Sequence, residues 1–414
     1  MAEAKKAGRS PAQNSGSDKA LNVDKSAFVE TLEKCGSSHV LMLRPHGFGK
    51  SHLMDLLFSY YDKSSLASFN EKYAGTYIRM HPTTLKNSFR VLRFVFSSLG
   101  GADEQEFEAN FKKIVLDGLD AFLKRNPDVD FALDDDMKAD PIFALTGLCL
   151  NFSQQFPAEK IYLLIEDYDN FAYDVLFENR MELASADFLV DFYESIKSVL
   201  NVTIGRTFIT GVFPIAFGSL FGENGLNVVR NFASFRSFAD VAGFTAQELG
   251  AIAPDFAGKG KLGGVEKIVQ DLDATAGGYV FSPYSADPLY NPRDTAAYLQ
   301  EKKTDGTDEK YQKRLNTILD LSQGFDLKDL IDRILRRDLI KLTSVTPFLR
   351  LSLVSSYNNS DLLSLLFYLG YLSMARDSIK KTGAVALVCP NDHIAGFFRR
   401  YYEDKKLDAL PDDF

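Results

Sequence analysis

The segment from Arg44 to Ser51, which reads RPHGFGKS, carries the strongest chemical signal in the sequence. It follows the apolar run His39–Leu43 and precedes a helical pattern that starts at His52. Glycines let backbone N–H groups approach a phosphate, and the start of the following helix adds partial positive charge. A lysine at this place reaches the terminal phosphates of a nucleotide, and the serine after it ligates magnesium. We therefore predict a phosphate-binding loop, with an ordinary helix start after a glycine turn as the alternative.

The residues expected to contact phosphate form one uninterrupted run: Gly47, Phe48, Gly49, Lys50, Ser51 and His52. The standard motif has another glycine five residues before its last one. Arg44 occupies that position here. The motif thus departs at one position, while its context of strand, loop and helix is the one that phosphate binding needs.

A second chemical signal is the run Ile161–Asp169, which reads IYLLIEDYD. An apolar strand that delivers carboxylates at its C-terminal end is how nucleotide-binding α/β domains hold magnesium. One carboxylate would orient the metal, and a neighbour would activate the attacking water. The alternative is a buried strand followed by a solvated acidic turn, and the phosphate-loop motif upstream favours the first interpretation.

A third and weaker signal is Thr210-Gly211, at the end of the apolar run Arg206–Thr210. A hydroxyl there would lie beside the acidic cluster and could sense a terminal phosphate or position water. Thr-Gly is also a common way for a strand to end, which is the alternative interpretation.

The elements that must position these residues alternate between strand and helix. The predicted strands are His39–Leu43, Thr76–Met80, Ile161–Ile165, Arg206–Thr210 and, weakly, Phe238–Val241. The predicted helices include a stretch around Phe89–Phe96, then Phe107–Leu123, Pro141–Phe156 and Met181–Leu200. This alternation predicts an α/β fold with a parallel sheet and helices on both faces, over residues 20–245. Residues 246–414 are predicted to be mostly helical, with helices over Phe325–Leu342 and Asp361–Ala375 and a loop over Lys302–Glu309.

The composition is that of a folded protein with an excess of acidic residues. The chain has 414 residues, enough for two or three domains, and its 34 Phe supply ample apolar surface to bury. The net charge of −9 disfavours nonspecific binding to nucleic acids or anionic membranes. The sequence shows no membrane span or signal-peptide core, and its three widely spaced cysteines predict neither a disulfide framework nor a metal site. We expect a reducing, cytoplasmic location and a disordered tail over residues 1–19.

The motifs, taken in order, resemble the AAA-ATPase-like family, a group of predicted P-loop ATPases often fused to a PD-(D/E)xK nuclease-like domain. Arg44–Ser51 resembles the family's RPRRFGKS, so the family itself has an arginine in place of the first glycine of the standard motif. Ile165–Asp169 resembles IDEYD. The other similar blocks are Asp24-Lys25 with Phe28, Thr210-Gly211-Val212 with Pro214-Ile215, Gly243-Phe244-Thr245 with Glu248, Tyr290-Asn291-Pro292, Leu369–Leu372 and Pro390-Asn391. The resemblance covers residues 22–400, nearly the whole chain.

The sequence departs from the family in three ways. His46-Gly47 replaces two arginines of the phosphate loop, which removes two cations near the phosphates. The family's Asp-Glu is reversed to Glu166-Asp167, so the water-activating position holds a side chain one methylene shorter; the retained Asp169 could compensate. No spare pair of strands carries a D…(D/E)xK pattern, so we expect no nuclease domain or nuclease activity in this chain.

The resemblance implies a P-loop NTPase fold with sheet order 5-1-4-3-2, in which His39–Leu43 is central, and a lid or winged-helix-like region after it. It also implies a Mg²⁺-dependent ATPase that couples nucleotide state to a conformational change or a partner. Lys50 would bind the phosphates, and Ser51 with Glu166 would hold Mg²⁺. Asp167 would activate water with Glu166 beside it, and Thr210 would sense the γ-phosphate. ATP is preferred to GTP on the resemblance alone.

Two other functions remain open at this point. One is a catalytically degenerate, nucleotide-gated scaffold that acts through protein–protein contacts, as the reversed acidic pair and the missing loop arginines suggest. The other is a nucleic-acid motor, based on Ile331–Lys341 and Arg399-Arg400, which the overall acidity disfavours. A homo-oligomer that supplies an arginine to the site is a further option, with Arg206, Arg230 and Arg293 as candidates.

Overall fold

The computed structural model describes residues 21, 23–178, 180, 183, 187–216, 220, 221, 228–284, 287–301, 307–321, 326–351 and 357–407. The expected N-terminal tail, residues 1–19, lies outside the described residues.

A five-stranded sheet forms the centre of the N-terminal part. Its strands are β1 (His39–Leu43), β2 (Arg90–Val95), β3 (Ile161–Glu166), β4 (Ile204–Gly211) and β5 (Arg230–Asn231), and all neighbouring pairs are parallel. Every residue of β1 and β3 is buried, as is typical of parallel strands that are covered by helices on both faces. The α/β class and the parallel sheet are therefore confirmed.

The strands lie in the order β2-β3-β4-β1-β5. This is the order that the family resemblance implies, with β1 as an interior strand. Met42 pairs with Thr210 and Leu43 with Gly211, while Val95 pairs with Glu166. Because all strands are parallel, the phosphate loop, the acidic run and Thr210 meet at one edge of the sheet.

The predicted strand Thr76–Met80 is wrong: Tyr77–Met80 is a single helical turn, α4. Its backbone amides find side-chain acceptors instead of a neighbouring strand. The Tyr77 amide donates to Asp24 Oδ2 at 2.6 Å, and the Ile78 amide donates to Ser26 Oγ at 3.0 Å. The sequence pattern alternates as in a strand, but these two hydrogen bonds, to residues 53 and 52 positions earlier in the chain, fix a turn.

The predicted helix around Phe89–Phe96 is also wrong, because this segment contains β2. The charged residues Arg90 and Arg93 interrupt the apolar pattern that would indicate a strand. Both form ion pairs with carboxylates in the folded protein. The predicted fifth strand Phe238–Val241 is wrong as well. The fifth strand is the two-residue β5, and its pairing with β1 continues as the Phe232 amide donates to Leu41 O at 2.9 Å.

Helices cover the sheet and carry the loops between its strands. They are α1 (Phe28–Lys34), α2 (Lys50–Tyr61), α3 (Leu66–Lys72), α4, α5 (Glu104–Arg125), α6 (Asp135–Ala139), α7 (Pro141–Gln155), α8 (Phe171–Phe177) and α9 (Asp187–Val199). Aspartate side chains cap α5, α6 and α7 at Asp103, Asp134 and Asp140. Most residues of the predicted helix Met181–Leu200 that precede Asp187 lie outside the described residues.

The C-terminal part combines helices with a small antiparallel sheet. Its elements are α10 (Ala246–Ile252), α11 (Val265–Thr275), α12 (Pro292–Leu299), α13 (Thr307–Asp320), α14 (Leu327–Leu335), β6 (Ile340–Leu342), α15 (Asn359–Leu369), β7 (Ser373–Met374), α16 (Ser378–Thr382), β8 (Val385–Val388) and α17 (Asp392–Asp404). The sheet has the order β6-β8-β7. The predicted helices over Phe325–Leu342 and Asp361–Ala375 therefore end earlier and give way to β6 and β7.

The predicted loop Lys302–Glu309 is wrong where it can be compared, because α13 already begins at Thr307; residues 302–306 lie outside the described residues. Phe325 also lies outside them.

Candidate phosphate-binding site

The loop between β1 and α2 is shaped to receive an anion. Gly47 and Gly49 have φ values of 85° and 84°, in the left-handed region that glycine enters without strain. Gly49 is the N-cap of α2 and has no side chain to accept from the first amides of the helix. A Cβ placed on Gly49 would meet no atom within 4 Å. The helix start is therefore open and offers free N–H groups to a phosphate.

Lys50 is buried, and its ammonium points back at the loop. It donates to the carbonyl oxygens of Arg44 at 3.0 Å and Pro45 at 3.2 Å. Burial lowers its pKa, while the negative charges of Asp167 and the other carboxylates on the acidic run oppose this. Phosphate oxygens would replace the two carbonyls as partners of the ammonium.

The side chains of the remaining loop residues divide into exposed and anchoring ones. Ser51 and His52 are exposed at the first turn of α2. Phe48 is buried, with its ring 5.1 Å from the ring of Tyr279 and 5.0 Å from that of Phe281. Phe48 thus offers only its backbone to a ligand, and its side chain anchors the loop.

Arg44, at the position where the standard motif has glycine, points away from the phosphate side. Its guanidinium is buried and donates to the carbonyl oxygens of Leu43 and Ala233, each at 2.8 Å. It also lies over the ring of Phe281, 4.2 Å from the ring centre. Arg44 therefore ties the loop to the segment after β5.

Glu166, at the end of β3, is buried and already has a cationic partner. Its Oε2 accepts from Arg93 Nη2 at 2.7 Å, and Arg93 Nη1 donates to Asp55 at 2.7 Å. Asp55 lies on α2, so Arg93 joins the acidic strand to the helix that begins at the phosphate loop.

Asp167 differs from Glu166 in its backbone conformation and in its lack of a cationic partner among the described residues. Its φ is 52°, a left-handed conformation that is uncommon for a residue other than glycine. Among the described residues, no donor forms a hydrogen bond or an ion pair with its carboxylate. Burial raises its pKa, and the positive charge of Lys50 opposes this shift.

Asp169 is used within the fold. Its Oδ2 accepts from the amides of Val212, at 2.8 Å, and Phe213, which hold the chain that leaves β4. Burial raises its pKa to about 7. Since its carboxylate is committed to these amides, it is poorly placed to replace a water-activating residue.

Thr210 is fully buried beside the loop strand. Within the described part of the chain, its hydroxyl has no hydrogen-bond partner. Buried polar groups are normally paired, so an orphaned hydroxyl at this edge fits a polar group of a ligand.

The C-terminal part touches the loop directly. The Asn291 side-chain amide donates to His46 O at 2.9 Å, and the Arg293 amide donates to Gly47 O at 3.1 Å. A further contact comes from the N-terminal part, where the Tyr173 hydroxyl on α8 is hydrogen-bonded to His46 Nε2. Neither Asn291 nor Tyr173 is predicted from the sequence to contact the loop. Asn291-Pro292 is a recognisable helix start, but nothing in it indicates which segment it contacts.

The three candidate arginines lie in different places. Arg206 pairs with Tyr162 and Arg230 with Val40, near the starts of their partner strands and away from the edge that carries the loop. A Cβ on Gly47 would lie 2.8 Å from Arg293 Cβ and 3.2 Å from its Nε. Arg293 is thus the candidate that lies against the loop within the same chain.

A cavity of about 360 Å³ adjoins this contact. Its walls include Pro45 of the loop, Arg293 on α12, Tyr311 on α13 and Phe397 on α17. Arg293 donates to Asp294 and to the Tyr311 hydroxyl, each at 2.9 Å, at this wall.

The donors at the sheet edge fit a nucleotide better than they fit a preformed metal cage. The described residues contain no cluster of three or more His, Cys, Asp or Glu that could hold a metal ion. An exposed Ser51 hydroxyl and the unpartnered Asp167 carboxylate are suited to Mg²⁺ that arrives with phosphates, because this ion keeps several waters and few protein ligands. Glu166 is less suited, since Arg93 occupies its carboxylate.

The comparisons with known proteins identify the family of the chain. Among the helices that the structure describes, none is both long enough and apolar enough to cross a bilayer. No curated protein and no solved structure gives a significant match to the chain. A family model described as "Predicted AAA-ATPase" matches residues 15–221, half of the chain, and confirms the family that the sequence motifs indicated. The similar blocks after residue 221 lie outside this match. The chain therefore belongs to the AAA-ATPase-like family of predicted AAA-ATPases.

Proposed function

We propose that this protein binds ATP at the loop from Gly47 to His52 and hydrolyses it with Mg²⁺. The observation that carries the proposal is the open start of α2 at Gly49, with the buried ammonium of Lys50 directed at the loop. Uncapped amides and a lysine at a helix start favour binding of phosphate groups. Membership of a family of predicted ATPases supports the same activity.

The side chains at the sheet edge have distinct parts in this proposal. The loop amides cradle the phosphates, and Lys50 exchanges its two carbonyl partners for phosphate oxygens. Thr210 offers its free hydroxyl to the terminal phosphate. The Ser51 hydroxyl and the Asp167 carboxylate, which follows β3, are the groups near which Mg²⁺ would be held. When bound, Mg²⁺ neutralises charge on the phosphate oxygens.

We further propose that residues 246–414 act as the lid that responds to the nucleotide. The support is direct contact: Asn291 and Arg293 donate to the carbonyls of His46 and Gly47. A loop that reorganises around phosphates would move these contacts and pass the change to the lid or to a protein partner. Contacts that exist in only one nucleotide state are the usual basis of such coupling.

The alternative is a nucleotide-gated scaffold that binds ATP without hydrolysing it and acts through protein contacts. The ion pair between Glu166 and Arg93 favours it, because the pair withdraws one of the two carboxylates that hydrolysis would use. Asp169, bound to backbone amides, does not restore the missing one.

The deciding experiment is calorimetric titration of MgATP into the wild type, Lys50→Ala and Lys34→Ala, with GTP as a second ligand. Lys34 is a matched control because its side chain is 76% exposed and, among the described residues, forms its ion pair within α1, with Glu30. We expect binding to wild type and Lys34→Ala, and a loss of at least about 100-fold in Lys50→Ala, as for a charged group inside a phosphate site. A folded wild type that binds no ATP at millimolar concentration would contradict the proposal.

Phosphate release then separates the enzyme from the scaffold. Release by the wild type but not by Lys50→Ala supports the ATPase. Tight, Lys50-dependent binding with no release supports the scaffold.

A further inference from the structure

We infer that Asp167, and not Glu166, is the carboxylate that meets the nucleotide-bound metal, and that Glu166 is the buried counter-ion of Arg93. This inference rests on the proposed function and assigns the roles within the same site. It reverses the assignment that the order of the two acids suggests.

The first step concerns what Glu166 already does. Its side chain is 4% exposed, and Arg93, 22% exposed, holds it at 2.7 Å while also holding Asp55 at 2.7 Å. The Arg93 Nε atom is buried without a partner in the described structure, so this guanidinium has no spare acceptor that could replace Glu166. Removing one member of a buried ion pair leaves an uncompensated charge, which is strongly unfavourable. Glu166 is therefore held to Arg93, and turning to a metal would break the link between β3 and α2.

The second step concerns what Asp167 is free to do. Its backbone has a φ of 52°, and the Asn170 amide donates to its carbonyl oxygen at 3.0 Å, which fixes the turn. Its carboxylate is half-buried, and none of the described groups forms a hydrogen bond with it. The turn therefore fixes the position of a carboxylate that has no hydrogen-bond partner among the described residues.

The left-handed turn also gives a physical reason for the order of the two acids. Asp enters this conformation more readily than most residues other than glycine, because its short polar side chain is tolerated there. An Asp at position 167 therefore suits the turn, and the longer Glu at position 166 suits the reach to Arg93 on the neighbouring strand.

A functional consequence follows from having a single available carboxylate. With Glu166 bound to Arg93 and Asp169 bound to the Val212 and Phe213 amides, Asp167 is left to serve the metal. No second carboxylate of the acidic run is then free to take a proton from water. We therefore expect hydrolysis, and with it the release of phosphate, to be slow.

The test compares Asp167→Asn, Glu166→Gln and, as an exposed control, Asp135→Asn. ATP affinity is measured by calorimetry with Mg²⁺ and again with EDTA, and unfolding is followed in urea without nucleotide. The quantity compared is the ratio of ATP affinity with Mg²⁺ to that with EDTA. We expect this ratio to be at least about tenfold smaller in Asp167→Asn than in the wild type, with an unchanged urea midpoint. Glu166→Gln should keep that gain within about threefold and shift the midpoint to lower urea. Asp135→Asn should change neither.

Two outcomes would overturn the inference. One is a Glu166→Gln protein that loses the Mg²⁺ effect while Asp167→Asn keeps it. The other is additivity of Arg93→Gln and Glu166→Gln in urea unfolding, since a coupled pair must be non-additive. A wild type that binds no ATP at all would instead defeat the proposed function, and with it the use of Asp167, whatever the unfolding cycle shows.

Discussion

The side-chain amide of Asn291 donates a hydrogen bond of 2.9 Å to the carbonyl oxygen of His46, although the two residues lie 245 positions apart in the sequence. His46 belongs to the phosphate loop, and Asn291 is the N-cap of α12. The oxygen of the same side chain accepts from the Arg293 amide at 3.0 Å and the Asp294 amide at 3.4 Å. One side chain thus starts a helix and supports the loop at the same time.

Removing this side chain tests the link. We expect Asn291→Ala to lower the free energy of unfolding by about 1–2 kcal/mol, because α12 loses its cap. We also expect roughly tenfold weaker ATP binding, because the loop loses a support, and both effects can be measured by urea unfolding and calorimetry. Asn358→Ala is the matched control, since Asn358 caps α15 by accepting from Ser360 and Asp361. It should destabilise to a similar degree and leave ATP affinity unchanged; the same affinity in both variants would contradict a role for the contact.

Gly211 provides a test of packing at the end of β4. A Cβ on this residue would collide with Asp169 Oδ1 and lie 2.6 Å from Tyr168 Cδ1. Both neighbours are held by hydrogen bonds, so we expect Gly211→Ala to destabilise the fold by about 3 kcal/mol or more. Gly250→Ala is the control, because a Cβ there meets nothing within 4 Å and Gly250 lies inside α10. That change should stabilise by up to about 1 kcal/mol. Similar melting temperatures for the two variants would contradict the packing argument.

The pH dependence of stability should carry the signature of Asp169. Burial raises its pKa to about 7 in the folded protein, whereas an aspartate in the unfolded chain titrates near pH 3.9. Between these values the folded state binds the proton more tightly, so the contribution of Asp169 is full at low pH and is lost as pH rises toward 7. The slope from this group is at most about 1.4 kcal/mol per pH unit.

The comparison of wild type with Asp169→Asn isolates this effect. Urea unfolding at intervals from pH 4.5 to 8 should show the difference between the two proteins changing up to about pH 7 and levelling off above it. A difference that is flat over this range would mean that Asp169 keeps an ordinary pKa.

Arg44→Gly restores the glycine of the standard phosphate-loop motif, and we expect it to harm the protein. The variant loses the buried hydrogen bonds to Leu43 and Ala233 and the contact with Phe281. A loss of about 2–4 kcal/mol in the free energy of unfolding is expected for a buried, hydrogen-bonded guanidinium. Thermal and urea unfolding measure it directly, and a variant as stable as wild type would show that the loop does not depend on this arginine.

The strands that the sequence predicts correctly are the ones buried on both faces. β1, β3 and β4 are interior strands, and their apolar runs identify them without further context. The sequence does not predict the two edge strands, β2 and β5, for two different reasons. β2 contains Arg90 and Arg93, whose charges are explained only by distant carboxylates, and β5 has two residues.

The candidate site likewise has one part that the local sequence indicates and another that depends on distant residues. The loop Gly47–Ser51 is a local motif, so its place between a strand and a helix could be predicted from the sequence, while its binding of phosphate stays a prediction. The partners that set the chemistry of the acidic pair could not, because Arg93 lies 73 positions from Glu166. Several of the family-like blocks likewise work over long distances: Lys25 bonds to Glu248 at 2.7 Å, and Glu248 closes a capping box with Thr245.

Phe48 gives the phosphate loop a mechanical attachment. Its ring sits between Tyr279 and Phe281, and the Gly243 amide donates to its carbonyl oxygen at 3.2 Å. These partners come from the chain beyond β5, so a displacement of Tyr279 or Phe281 is passed directly to the loop through the Phe48 ring. In the proposed ATP site, a movement of the C-terminal part would therefore be coupled to the loop through this ring.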